Sequence, residues 1–189
     1  MTMPFTPEHP PEGYPIDLER SVLLRDGKVA HVRPLVPDDA PTLAHEIATA
    51  DTETIYLRFF TPVVRIDEAR LRHMTELDYH YRLALAAFSE WGDAIGVIRY
   101  EGAPGSTEAE VAVTTKQGWR RTGIAAALLV MLEEAASQRG IETMVAFYLA
   151  QNYPARDLFA RFGYSSDHVE AGIVRVEKAL RPAAGRASA

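Results

Sequence analysis

Cysteine is absent from the 189 residues, and that absence removes disulfide staples, thiolate metal sites and thiolate nucleophiles together. A chain without cysteine suits a reducing compartment, and a cytoplasmic address is the expectation. Long apolar runs are also missing: none approaches the roughly 20 residues that cross a bilayer. The first fifteen residues, MTMPFTPEHPPEGYP, have neither the basic start nor the apolar middle of a secretory signal. No membrane partner is expected. Cationic residues are in short supply, with Lys+Arg at 20 against Asp+Glu at 26 and a net charge of −6 at pH 7. General nucleic-acid binding needs a positive field, so it is not expected either. The six histidines are scattered and form no H-E-x-x-H, so no metal is expected. The nucleotide loop G-x-x-x-x-G-K-[ST] and the nucleophile elbow G-x-S-x-G do not occur, and Gly118 and Gly123 do not complete G-x-G-x-x-G.

What is present suits one well-buried domain: 47% of the residues are apolar and 24% charged. Four of the first eleven residues are proline, which favours an extended N-terminal tail over residues 1–20, or a strap lying on the domain. The end, RPAAGRASA (181–189), is small and polar and reads as a flexible tail. Between them, 21–180, the pattern is regular. SVLLRDGKVAHVRPL predicts two strands about a turn at Asp26-Gly27. Three short helices follow, in VPDDAPTLAHEIATA, DTETIYLRFF and RIDEARLRHMTEL, the last with Asp67 as N-cap. RLALAAFSE, AIGVIRYE and TEAEVAVTT are strands. A long helix over about 122–139 stops at Gly140, and IETMVAFYLA is long enough to be central in a sheet. NYPARDLFARFG is a helix with Asn152 as N-cap and Pro154 in its first turn, and a final strand pair completes the order. The expectation is an α/β fold: a mixed, mostly antiparallel central sheet of six to seven strands, with helices on both faces.

GWRRTGIAAALL (118–129) places two arginines, a threonine and a glycine directly before an apolar helix. The first N–H groups of a helix have no internal partner and carry the positive end of its dipole, so an anion is the natural guest. Within this stretch RRTGIA (120–125) resembles Q/R-x-x-G-x-G/A, the pyrophosphate loop of the GNAT superfamily of acetyl-CoA-dependent N-acetyltransferases. LAQNYPARDLFARFGY (149–164) is similar to the second motif of that superfamily, with Asn152, Gly163 and Tyr164 in its marked places. YLRFF (56–60), ELDYHYRLALAAF (76–88), GVIRYEG (96–102) and AEVAVTT (109–115) look like the GNAT domain of bacterial protein lysine acetyltransferases of the Pat type. The likeness runs over nearly all of 21–180.

The resemblance implies a GNAT fold, acetyl-CoA as co-substrate, and a protein partner, an acyl-CoA synthetase such as acetyl-CoA synthetase, acetylated on lysine. Longer members carry a further regulatory or synthetase-like domain, which is not expected in 189 residues. Arg120, Arg121, Thr122, Gly123, Ile124, Ala125 and Ala126 would hold the pyrophosphate, where glycine and alanine let backbone N–H groups come close. Val113, Thr114 and Thr115 would pair through their backbone with the pantetheine arm. Asn152 carries two compatible roles, helix cap and contact to that arm.

Glu110 matches the general-base glutamate of this branch. A lysine amine with reference pKa near 10.4 is neutral about once in several thousand molecules at pH 7, a cost of roughly 4–5 kcal/mol that a nearby carboxylate can offset by taking the proton. Alternation puts Glu108, Glu110, Ala112 and Thr114 on one face, and Glu108 reads as an exposed edge residue. Phe159 departs from the pattern, because many family members have a proton-donating tyrosine there, and no general acid is assigned. Arg58, Phe59 and Phe60 either wall the acceptor cleft or pack in the core, and Asp78 with Arg82 is either a structural pair or an acceptor-recognising one. Two other functions stay open: acetylation of a small-molecule amine, and a non-catalytic acyl-CoA-binding module. Oligomeric state and acyl-chain preference leave no signature in the sequence.

Overall fold

A computed structural model describes residues 6–181. The first five residues and 182–189, which hold most of the expected C-terminal tail, lie outside the described residues. The strands are β1 (Arg20–Leu23), β2 (Val29–Pro34), β3 (Arg82–Ser89), β4 (Ala94–Glu101), β5 (Glu108–Thr115), β6 (Thr143–Leu149), β7 (Ser165–Glu170) and β8 (Ile173–Ala179). The helices are α1 (Ala40–Thr49), α2 (Thr52–Phe59), α3 (Glu68–Thr75), α4 (Ile124–Gln138) and α5 (Tyr153–Arg161). One sheet runs in the order β1-β2-β3-β4-β5-β6-β8-β7. Every neighbouring pair is antiparallel except β5 with β6.

The fold is the expected α/β arrangement, but the sheet has eight strands instead of six to seven. The last segment folds back on itself because Ala171 and Gly172 both adopt positive φ, 49° and 81°. That is the backbone a tight two-residue hairpin turn requires. β6 lies inside the sheet, between β5 and β8, as its apolar run implied.

Local chemistry sets the helix starts. Asp51 accepts from the Thr54 N–H at 2.7 Å, Asp67 from Arg70 at 2.8 Å, and Asn152 from Ala155 at 3.1 Å. Each satisfies an orphan donor of a first turn. α1 is entered through a buried ion pair, in which Arg33 donates to both oxygens of Asp39 at 2.8 and 2.7 Å. Asp39 also accepts from the Val36 N–H at 2.8 Å, which fixes the turn before the helix.

The two faces of the sheet are covered differently. α4 buries Ile124, Leu128, Leu129, Met131, Leu132, Ala135 and Ala136, an i, i+4, i+7 type stripe. The stripe meets Ile98, Tyr100, Leu83 and Leu85 in the main core, and α5 joins it through Phe159. α1, α2 and α3 lie over the opposite face, where a smaller cluster of Leu35, Ala84, Ala86 and Phe88 sits. The strap before β1 packs as well: Leu18 is buried, and the Tyr14 ring stands edge-on to Tyr79.

Candidate active site

β5 stays paired with β4 to its last residue, Thr115 opposite Gly96. Its parallel pairing with β6 stops at Val111 opposite Ala146, while β6 continues beside β8 to Leu149. The two central strands therefore part beyond Val111. The β6-facing backbone groups of Ala112, Val113, Thr114 and Thr115 have no strand partner among the described residues. An exposed row of N–H and C=O groups is what an amide-bearing arm can pair with.

β5 leads through a short 3-10 turn, Gln117–Trp119, to the start of α4. Gly123 caps that helix at φ 95° and supplies no side chain to its first N–H groups. The positive φ calls for glycine, and the exposed Arg25 side chain lies close by, its Cγ 3.3 Å from where a Cβ would stand. The first-turn N–H groups of Ile124, Ala125 and Ala126 are therefore without a side-chain cap, and they point the positive end of the dipole outward. Thr122 is buried, and its hydroxyl donates to the Trp119 carbonyl at 2.8 Å.

The cations around this helix start divide into two groups. Arg121 is exposed, at φ 67°, and Arg25 lies beside Gly123 from the turn of the first hairpin. Sequence reasoning missed Arg25; its only signal was a basic residue next to the Asp26-Gly27 turn. Arg120 instead reaches α2, with 3.0 Å to a Glu53 carboxylate oxygen and a 2.7 Å hydrogen bond to the Thr54 hydroxyl. Lys116 reaches α1 through Glu46 at 3.0 Å. Arg120, one of the expected anion-binding cations, thus braces the helices on the far face together with Lys116.

Glu110 lies on β5 directly opposite Glu101 of β4, so both carboxylates share a face. Its side chain keeps contact with solvent, yet partial burial pushes its pKa above the ordinary glutamate range. Arg58 opposes that rise, and Glu101 adds to it. Glu101 in turn meets Nε2 of His73 at 2.7 Å. The Arg58 guanidinium stands 5.0 Å from the Phe59 ring, and burial lowers its pKa. Glu108 is exposed at the strand start, 3.9 Å from Arg175.

Between α1, α2 and the sheet lies a chamber of about 440 Å³, lined by Arg58 and Phe59 among others. Phe60 has a different task, ending α2 in the left-handed region at φ 60°. Asp78 and Arg82 meet through the backbone: the Asp78 carboxylate accepts from the N–H groups of His80, Tyr81 and Arg82 at 2.8, 2.7 and 2.9 Å. Arg82 donates to the carbonyls of Glu76 and His73. Asn152 sits just past β6 as the cap of α5. Phe159 is buried between Tyr148 and Tyr164, with ring centroids 6.1 and 4.9 Å away. Burial pushes the Tyr164 hydroxyl up, while Tyr153 is exposed beside Arg156.

Residues 49–164 match the family described as the acetyltransferase (GNAT) family. The GNAT domain of S. lividans PAT superposes with a TM-score of 0.81 at 35% identity, over 88% of this chain and 99% of that one. Acetyltransferase Pat of Mycolicibacterium smegmatis is 28% identical over 165 residues, which is 85% of this chain and 49% of the relative. A cAMP-binding acyltransferase from Mycobacterium smegmatis aligns at 25% identity and a TM-score of 0.62, over 87% of this chain and 48% of that one. The chain thus spans about half the length of this curated relative. It belongs to the GNAT acetyltransferase family.

Proposed function

We propose that this GNAT acetyltransferase transfers the acetyl group of acetyl-CoA to lysine side chains of a protein, in the cytoplasm, with an acyl-CoA synthetase such as acetyl-CoA synthetase as the acceptor. The observation that carries the reading is the parting of β5 from β6 beyond Val111, which leaves a free backbone edge running from Ala112, two residues past Glu110, towards the uncapped start of α4. When bound, acetyl-CoA supplies a thioester that an amine can attack. The chain contributes binding, orientation and proton removal. First-turn N–H groups of Ile124, Ala125 and Ala126, with Arg121 beside them, hold the pyrophosphate. Backbone groups of Val113, Thr114 and Thr115 hold the arm, and one N–H there polarises the thioester carbonyl. Glu110 takes the amine proton directly or through a water, and its raised pKa makes it a better base than an ordinary surface glutamate.

The protein-lysine acceptor rests on the likeness to the S. lividans PAT domain and to Pat of M. smegmatis. Incubation with labelled acetyl-CoA and a cell lysate tests it. A labelled acyl-CoA synthetase is the expected result, and label found only in small molecules would refute the protein acceptor.

A further inference from the structure

Arg99 of β4 is 9% exposed, and neutral acetyl transfer gives it nothing to do. Its Nη2 donates to the Met74 carbonyl at 3.0 Å, while its buried Nε has no hydrogen-bond partner among the described residues. It lines the chamber of about 440 Å³ together with Arg58, and neither arginine forms an ion pair among the described residues. The other walls are mostly apolar, with Leu43, Ile47, Phe88 and Val97 among them. Asp39, Glu46 and Asp51 also line it, but each is engaged elsewhere, with Arg33, Lys116 and the Thr54 N–H. Glu101 acts on both arginines and Glu110 on Arg58, in each case without a direct ion pair, so a substrate anion that reaches both guanidinium groups offsets a real cost. Burial already holds Arg99 down to about 10 and Arg58 below its ordinary value.

The chamber also reaches the reacting strand. Ala112 and Thr114 of β5 line it, and Ala112 stands directly opposite Arg99. We infer that the chamber binds a carboxylate carried by a substrate, gripped by Arg99 and Arg58 beside the thioester end of β5. The inference rests on the reading of β5 given above. A carboxylate suits guanidinium groups because it accepts in a bidentate way. It can arrive at the end of a dicarboxylic acyl group or on an amino-acid acceptor. In both cases the amine nitrogen bonds to the carbonyl carbon, the C–S bond breaks, CoA leaves as its thiolate, and the amine proton passes to Glu110. The carboxylate is only a handle.

The test uses the whole chain and two arms. In the first, acetyl-CoA, butyryl-CoA and succinyl-CoA are compared for Kd by calorimetry. In the second, L-lysine and cadaverine, which differ only by the carboxylate, are compared for kcat/KM with acetyl-CoA. At least one arm should prefer the carboxylate-bearing compound by about ten-fold, the scale of one charge-assisted hydrogen bond. Arg99→Met should erase that ratio, and Arg99→Lys should keep part of it. A preference in the first arm assigns the carboxylate to the donor, and in the second to the acceptor. No preference in either arm of the unmodified chain overturns the inference without any variant, as does a ratio that survives both Arg99→Met and Arg58→Met. A chain that binds acetyl-CoA with no carboxylate preference fails only this inference. A chain that binds no acyl-CoA fails the reading of β5 and α4 with it.

Discussion

The two faces of the sheet are built to opposite standards. Under α4 the side chains of Leu128, Leu129 and Leu132 are fully buried, and the sheet residues that meet them, Ile98, Tyr100 and Leu83, are equally so. Under α1 the helix buries no residue completely, and a chamber of about 440 Å³ remains between it and the strands. Both helices are apolar enough to pack. The difference lies in what anchors them: α4 by its own stripe, α1 by a buried ion pair at its entry and by Lys116 bound to Glu46. One face holds the strands and the helix start in place. The other leaves room for a substrate, and Glu110 sits on that open face.

If that division is right, the largest effect separates function from stability. Glu110→Gln should lower turnover by about 10²–10⁴-fold, the usual worth of a positioned base, while acyl-CoA affinity holds. Stability should not fall. With its folded pKa raised above the unfolded value, Glu110 costs nothing at low pH, where both states are protonated. The cost appears as pH rises and the unfolded chain ionises first, so the glutamine variant removes it at neutral pH. A thermal midpoint measured beside turnover checks both halves, and unchanged turnover would remove Glu110 from its role.

The converse comes from the packed face. Leu132→Ala should cost about 2–5 kcal/mol in denaturant unfolding, because a fully buried leucine leaves a cavity. Ile47→Ala on α1 should cost under about 1 kcal/mol, since its side chain is only half-buried against an existing void. Equal costs would mean that the chamber closes in solution.

A smaller shift sharpens the electrostatics of the open face. A base must be ionised to work, so if Glu110 has that role kcat/KM should fall as pH drops through its pKa, which lies above the ordinary glutamate value. Glu101→Gln removes the facing carboxylate and should move that limb to lower pH. Arg58→Met removes the opposing cation and should move it higher. Profiles of kcat/KM against pH for the three proteins measure this.

Much of the packed face was legible in the sequence, because its signals are local. The stripe of α4, the cap at Asn152, and the glycine before the helix are each written within a few residues. On the open face the local signals were read too, such as the cap of α3 at Asp67, but the contacts that shape it were not. Arg120 meets Glu53 across 67 positions, and Lys116 meets Glu46 across 70, so neither pairing leaves a local pattern. The point where β5 leaves β6 is a matter of register, and a strand's composition does not state where its neighbour departs. Arg99 read as an ordinary strand residue in GVIRYEG, and its bond to the Met74 carbonyl and its unpartnered Nε are visible only once α3 lies over it.

The smallest expected effect concerns the seam between the faces. Arg120 belongs by sequence to the anion-binding loop, yet it is held by Glu53 and Thr54 of α2. Glu53 is well exposed, so its half of the pairing is worth about 0.2–1 kcal/mol. Removing it with Glu53→Gln leaves Arg120 more available to a phosphate. If Arg120 does serve the bound donor, acyl-CoA affinity should tighten by about 1.5–5-fold, the same energy expressed as a ratio. If it only braces α2, the Kd stays put, and the loop relies on Arg121, Arg25 and the backbone of α4. Calorimetry at two salt concentrations separates these outcomes. A gained phosphate contact makes binding more salt-sensitive in the variant, because more charge is neutralised on binding, whereas a lost brace leaves the salt dependence unchanged.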